Sequence, residues 1–157
     1  MYQTKNELSE SIRETSVALL NARLVDCIDL QSQIKQAHWN VKGPNFIALH
    51  RLFDEIYEAV GGYVDSIAER AVQLGGVAEG TVRTAATRST LKDYPLMISS
   101  EISHTEAVST VLAAFGQLAR KAIEEATEDG DLDTADLFTG ISRGIDMWLW
   151  FVEAHLQ

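Results

Sequence analysis

Cysteine is almost missing from this sequence. Cys27 is the only one in 157 residues, so no disulfide can form within the chain. Its setting, "LVDCIDL", is apolar and reads as a small buried filler. Proline is equally scarce: Pro44 and Pro95 are the only two, and long stretches are free of the residue that breaks helices. Basic residues are outnumbered, 13 Lys and Arg against 23 Asp and Glu, for a net charge of −10. Phosphate binding needs clustered Lys and Arg, so this balance argues against a general nucleic-acid-binding surface, whereas it is compatible with handling of cations. There is no run long and apolar enough to span a membrane, no internal repeat and no low-complexity linker. The polar N-terminus "MYQTKNELSESIRET" has no signal-peptide pattern. With the lone thiol, this predicts a reduced, cytoplasmic location. What is present is 46% hydrophobic residues, enough for one domain over residues 1–157 with a full core.

The apolar residues fall at helical spacing. Leu8, Ile12, Leu19, Leu20, Leu24, Ile28 and Ile34 predict a first helix from Lys5 to Val41, with Thr4 and Glu7 as a capping box. "KGPN" interrupts it. A second helix is expected from Asn45 to the Gly75-Gly76 pair. The stretch "GGVAEGTVRTAATRSTLKDYP" has little periodicity and reads as a long connection with room for one short helical turn. A third helix spans Leu96 to Glu128, with Ile102, Val108, Val111, Leu112, Phe115, Leu118 and Ile123 inward. After "EDGD", a fourth starts at Asp133 or Thr134 and carries Leu137, Phe138, Ile141, Ile145, Trp148, Leu149 and Val152. Two short turns make antiparallel pairs, and the long link lets the second and third helices run parallel. This is the all-α, ferritin-like form of a four-helix bundle.

The second helix carries chemistry on its polar side. At about 100° per residue, with His50 at zero, Asp54, Gly61, Asp65, Glu58 and Glu69 fall between about 20° and 100°. Leu52, Phe53, Ile56, Val60, Tyr63, Ile67, Ala71 and Leu74 fall between about 200° and 300° and take the core side. A charged stripe of this kind is ordinarily a solvated face. Two features count against that here: His38, just before the turn, can approach His50, and Gly61-Gly62 sits in mid-helix, where glycine is worth its destabilisation if another backbone comes close. His50 and Asp65 are about 22 Å apart along the helix, so one ion cannot bind both. His38, His50 and Asp54 form one half of a site, and Asp65 and Glu69 form another. A second copy packed antiparallel about a two-fold axis near Gly61-Gly62 brings the halves together as two identical shared sites. The rival arrangement, a di-iron site inside the bundle, uses two Glu-x-x-His motifs plus two further Glu. Only Glu101 with His104 matches that motif, and Ser103 with Glu106 reads as a cap.

These residues resemble the Dps family of mini-ferritins. The likeness is carried by "KQAHWNVKGPNFIALHRLFDEIYE", "DSIAERAVQLGG", "LKDYP" and "SRGIDMWLWFVEAHL", and it covers nearly the whole chain. It implies a hollow dodecamer with a ferroxidase centre at each two-fold dimer interface. There His38, His50 and Asp54 of one subunit face Asp65 and Glu69 of the other, holding two iron positions. It implies oxidation of Fe(II), preferentially by hydrogen peroxide over dioxygen, and storage of the ferric mineral. Mixed imidazole and carboxylate ligands suit Fe(II), and carboxylates suit Fe(III) better still; zinc or manganese binding without turnover is the alternative that ligand identity leaves open. Trp39, beside His38, either quenches radicals or simply packs at the interface.

The acidic stretch "EEATEDGDLDTAD" reads as a solvated turn and a helix N-terminus, where Asp is favoured. In the family such residues line three-fold pores for iron entry, which points to Asp133 and Asp136. The family name also implies a DNA-binding protein, the second class of function. The residues ahead of the first helix hold Lys5 alone, with Glu7 and Glu10 close by. Weak or absent DNA binding is therefore expected.

Overall fold

The computed structural model describes residues 1–157. Five helices account for the ordered elements: α1 (Glu10–Asn40), α2 (Phe46–Gln73), α3 (Val82–Arg88), α4 (Glu101–Asp129) and α5 (Leu132–Glu153). The pairs α1/α2 and α4/α5 are the tightly packed hairpins, and α1 against α4 joins them. The long α2-to-α4 connection holds the short α3, which lies on α1. Phe53, Phe115 and Phe138 are the largest fully buried side chains, one from each of α2, α4 and α5, in a core that also takes Leu20, Leu24, Leu30 and Ile34 from α1. Cys27 is buried there too, as expected; burial first, and neighbouring Asp26 second, push its thiol well above the usual range, so it stays protonated.

The helix ends differ from expectation in instructive ways. α1 begins at Glu10, with the Ser9 hydroxyl accepting from the Ile12 amide, and not at Lys5. Thr4 and Asn6 accept from the amides two residues on and build turns that compete with a helix. α4 begins at Glu101 and not Leu96: Ser100 is the cap, accepting from the Ser103 amide, and Ser103 itself caps nothing. Ile102 is consequently exposed rather than inward, and Ala119, Ala122 and Ala126 fill the inner face further along. α5 begins one or two residues early, at Leu132, because Asp131 accepts from the Thr134 amide. Gly75 and Gly130, both at φ +87°, follow the ends of α2 and α4 in the left-handed conformation that closes a helix.

α1 is not strongly one-sided, because α2, α4 and the crossover cover different faces of it. Its polar residues under the crossover are anchors. The Asn21 side chain donates to the Val77 carbonyl and accepts from the Glu79 amide. Fully buried Asp26 accepts from the Thr90 amide (2.7 Å) and hydroxyl (3.0 Å) and pairs with Arg23 (2.9 Å). Asp29 accepts from Ser89, and Gln33 donates to the Lys92 carbonyl. A segment with little apolar periodicity is thus held by satisfied hydrogen bonds.

At the opposite end, buried Asp131 ties α5 to α2 through Arg70 (2.7 Å). Burial pushes this carboxyl up, but hydrogen bonds from Thr134 and the Arg70 guanidinium outweigh it and hold the group below the usual carboxylate range. Asp131→Ala should lower unfolding stability by about 3 kcal/mol, since it strands a largely buried guanidinium. With the folded pKa depressed, the stabilisation is present above the ordinary value of 3.8 and is lost as pH falls below it. Chemical denaturation of parent and variant at pH 7 and near pH 3 checks both points; an equal gap at the two pH values would contradict them.

Candidate metal centre

α2 buries Leu49, Phe53, Ile56, Val60, Ile67 and Ala71, and the opposite face is left outward. Asp65 and Glu69 are exposed there, while His50 and Asp54 are half-buried near the helix start. His38, in the last turn of α1, is 8% exposed. No three metal-ligating side chains converge within the chain. His38, His50 and Asp54 cluster at one end of α2, and Asp65 and Glu69 lie at the other.

The two histidines fix each other. His38 Nδ1 donates to the His50 carbonyl at 2.7 Å, and His50 Nδ1 donates to the His38 carbonyl at 2.9 Å. The rings stack with centroids 3.8 Å apart and planes 23° from parallel. A carbonyl only accepts, so both Nδ1 atoms carry a proton, and Nε2 is the ring nitrogen left for a metal ion. The backbone here does the orienting that ligating histidines elsewhere obtain from carboxylates or carbonyls.

Asp54 is engaged by a neighbour that the sequence reading did not single out. The Lys35 ammonium is hydrogen-bonded to Oδ1 and sits 4.6 Å from the centre of the Tyr57 ring. His38 Nδ1 is 3.8 Å from the same oxygen. The Lys35 hydrogen bond is the chief reason the Asp54 carboxyl lies below its ordinary range. Lys35 was findable: it lies three residues before His38, on the same face of α1. An open cleft of about 470 Å³ beside Asp54 is lined by Arg51, Glu55, Glu58 and Trp148. A larger cavity, about 1010 Å³, lies between the end of the crossover and α4 and touches none of the five ligand candidates.

One expectation needs correction, and the rival arrangement is set aside. Gly61 makes room inside its own chain: a Cβ there would lie 2.7 Å from Gln31 Nε2, which donates to the Tyr57 carbonyl. Gly62 is the open one, with nothing near its absent side chain. Glu101 and His104 do not form a metal pair either. Glu101 turns to Asn45, and His104 is 1% exposed with Nδ1 2.6 Å from the Tyr94 hydroxyl. Burial, then nearby Lys42, push the His104 pKa down. Trp39 is 65% exposed beside the histidine pair, and Asp133 and Asp136 are exposed at the start of α5. No helix is long and apolar enough to cross a membrane.

This arrangement, a bundle with a long crossover and a histidine pair beside a carboxylate at one end of α2, defines a class. A ferritin-like domain profile matches residues 17–157. The chain is 43% identical over 156 residues to the DNA protection during starvation protein of Agrobacterium fabrum, covering 99% of this chain and 96% of that one. It is 35% identical over 150 residues to the protein of the same name from Mycolicibacterium smegmatis, covering 96% and 81%. The solved Mycobacterium smegmatis Dps superposes with a TM-score of 0.94 at 34% identity, over 100% of this chain and 94% of that one. The chain belongs to the ferritin-like family and, within it, to the Dps proteins.

Lys35→Met removes the cation already seated on Asp54. Co(II) titration of the assembled protein should then show affinity raised several-fold. Unchanged affinity would mean that Asp54 takes no part in binding.

Proposed function

We propose that the protein is a ferroxidase and iron store. Two copies pack antiparallel along α2. His38, His50 and Asp54 of one then share Fe(II) with Asp65 and Glu69 of the other, and such dimers build a hollow dodecamer. The observation that carries this is the reciprocal histidine lock beside Asp54, on a face of α2 that its own bundle leaves open. Two imidazoles are held in place through Nδ1, with too few ligands in one chain to satisfy a metal ion.

Iron is the substrate. Two Fe(II) each give one electron to one hydrogen peroxide; with two protons the products are two Fe(III) and two waters, and no hydroxyl radical is released. Dioxygen is the second oxidant. The residues of the chain supply positions and charge: the imidazoles favour Fe(II), and the three carboxylates gain as the ion becomes Fe(III). Iron left in the cage as ferric mineral is withdrawn from radical chemistry, which protects the cell against oxidative damage. Exposed Asp133 and Asp136, on a chain of net charge −10, are our choice for the lining of an entry pore, where carboxylate rings concentrate cations. A cage that binds zinc or manganese at the same ligands without turnover is the alternative that ligand identity leaves open. A bacterial cytoplasmic setting fits the relatives and the single buried thiol.

The test is anaerobic Fe(II) loading followed by one addition of hydrogen peroxide, with ferric absorbance recorded. The parent should oxidise iron rapidly and retain it, and Asp65→Ala with Glu69→Ala should abolish the acceleration. No acceleration over free iron in the parent would refute the ferroxidase reading and favour a non-redox metal cage.

The relatives' name favours a second reading, DNA binding. Charge opposes it, because the chain carries a net charge of −10. A gel shift at physiological salt without divalent metal should show no retention. Tight binding there would reinstate nucleoid packing as the main role.

A further inference from the structure

The turn between α1 and α2 decides how His38 and His50 face each other, and it is held from outside by one side chain. Asn45, the residue before α2, makes no side-chain cap of its own to the first turn. Its backbone amide instead donates to Glu101 Oε2 at 2.9 Å, and its side-chain Nδ2 donates to Glu101 Oε1 at 3.0 Å. Glu101 is the first residue of α4, far away in sequence. A carboxylate at a helix N-terminus satisfies an orphan donor and complements the helix dipole. The same carboxylate fills the space beside Gly43: a Cβ there would lie 2.3 Å from Glu101 Oε2, and Gly43 at φ +149° has a backbone conformation that side-chain-bearing residues rarely adopt.

We infer that Glu101 is a positioning residue for the metal centre: its two-pronged hold on Asn45 fixes the start of α2 against the end of α1, and so sets the reciprocal His38–His50 lock. The link is short. The Asn45 carbonyl accepts from the Leu49 amide, and the next residue is His50, whose carbonyl takes the His38 proton. Without Glu101, the turn has no tie to the second hairpin through this carboxylate. Each histidine depends on the other's backbone position, so a shift of the turn misdirects both Nε2 atoms together. Glu101 touches no metal; it acts through Asn45.

This inference rests on the shared-site reading, and the test separates the two. Co(II) is titrated anaerobically into the assembled parent, Glu101→Ala, Glu101→Gln and the Asp65→Ala, Glu69→Ala variant. Affinity is read together with the intensity and shape of the Co(II) visible band. Glu101→Ala should bind about tenfold more weakly, with an altered band, as loss of an outer-shell support typically does. Glu101→Gln keeps an acceptor for the Asn45 amide, and rotation of the Asn45 amide group satisfies the other prong, so affinity should return close to the parent's. An assembled Glu101→Ala with parental affinity and band overturns the inference, even if its melting temperature has dropped. If Glu101→Ala does not assemble, Asn45→Asp decides. It sets a second carboxylate against Glu101 and should weaken Co(II) binding, and adding Glu101→Gln should restore it; parental affinity in Asn45→Asp overturns the inference. Failure of the parent to bind Co(II), or indifference to loss of Asp65 and Glu69, would instead sink the shared-site reading and this inference with it.

Discussion

The single apolar face of α2 is the constraint on which the rest depends. Leu49, Phe53, Ile56, Val60, Ile67 and Ala71 are all almost fully buried, and each large side chain among them stabilises the fold by about 1.5–3 kcal/mol. Turning the helix to bring Asp54, Asp65 and Glu69 inward would expose that surface and bury carboxylates without partners. The ligand stripe must therefore face out. Once out, its two ends lie too far apart to serve one ion, so a metal centre built from this helix needs a second molecule. Bundle packing and the outward stripe are consequences of one rotation of one helix, and the two-fold association proposed above would follow from the same rotation.

The crossover supplies the second constraint. To pass from the end of α2 to the start of α4 it runs the length of the bundle over α1. It has little apolar surface to hold it there. Asn21, Asp26, Asp29 and Gln33 of α1 do so by polar contacts, two of them to backbone amides and others to carbonyls or hydroxyls. These contacts are specific in register in a way that apolar packing is not, because each amide or carbonyl has one position along the chain. The crossover end then delivers Tyr94 to His104 and sets the start of α4, from which Glu101 reaches the α1–α2 turn.

Much of this was legible in the sequence. Helical spacing gave the four long helices, and Gly75 and Gly130 gave two of their ends. The wheel separated the core side of α2 from its polar stripe. The errors have a common origin. Thr4, Ser9, Ser100 and Asp131 all qualify as caps locally, and side-chain turns such as those at Thr4 and Asn6 compete with the helix where the pattern alone would extend it. Gly61 looked like a surface for a neighbouring backbone, yet Gln31 of α1 uses it. Lys35 was passed over, and Glu101 was read only as half of a Glu-x-x-His motif, because their partners are 19 and 56 positions away. Periodicity reads contacts within one helix; it is silent on which residue of another helix will arrive.

The centre divides into parts of unequal rigidity, and the division suits the chemistry proposed for it. The imidazoles are held by backbone carbonyls, stacked on each other and largely shielded by the bundle. Asp65 and Glu69 stand on an exposed face. Asp54 lies between these extremes, its charge already balanced by Lys35. Binding an ion to pre-aimed nitrogen donors loses little side-chain entropy, so the free energy of binding goes mainly into ordering carboxylates. An ion that gains charge on oxidation then finds its adjustable ligands to be the anionic ones, which can close on it or bridge without disturbing the core. A centre with fixed carboxylates and mobile histidines would have the opposite bias and would hold the reduced ion poorly.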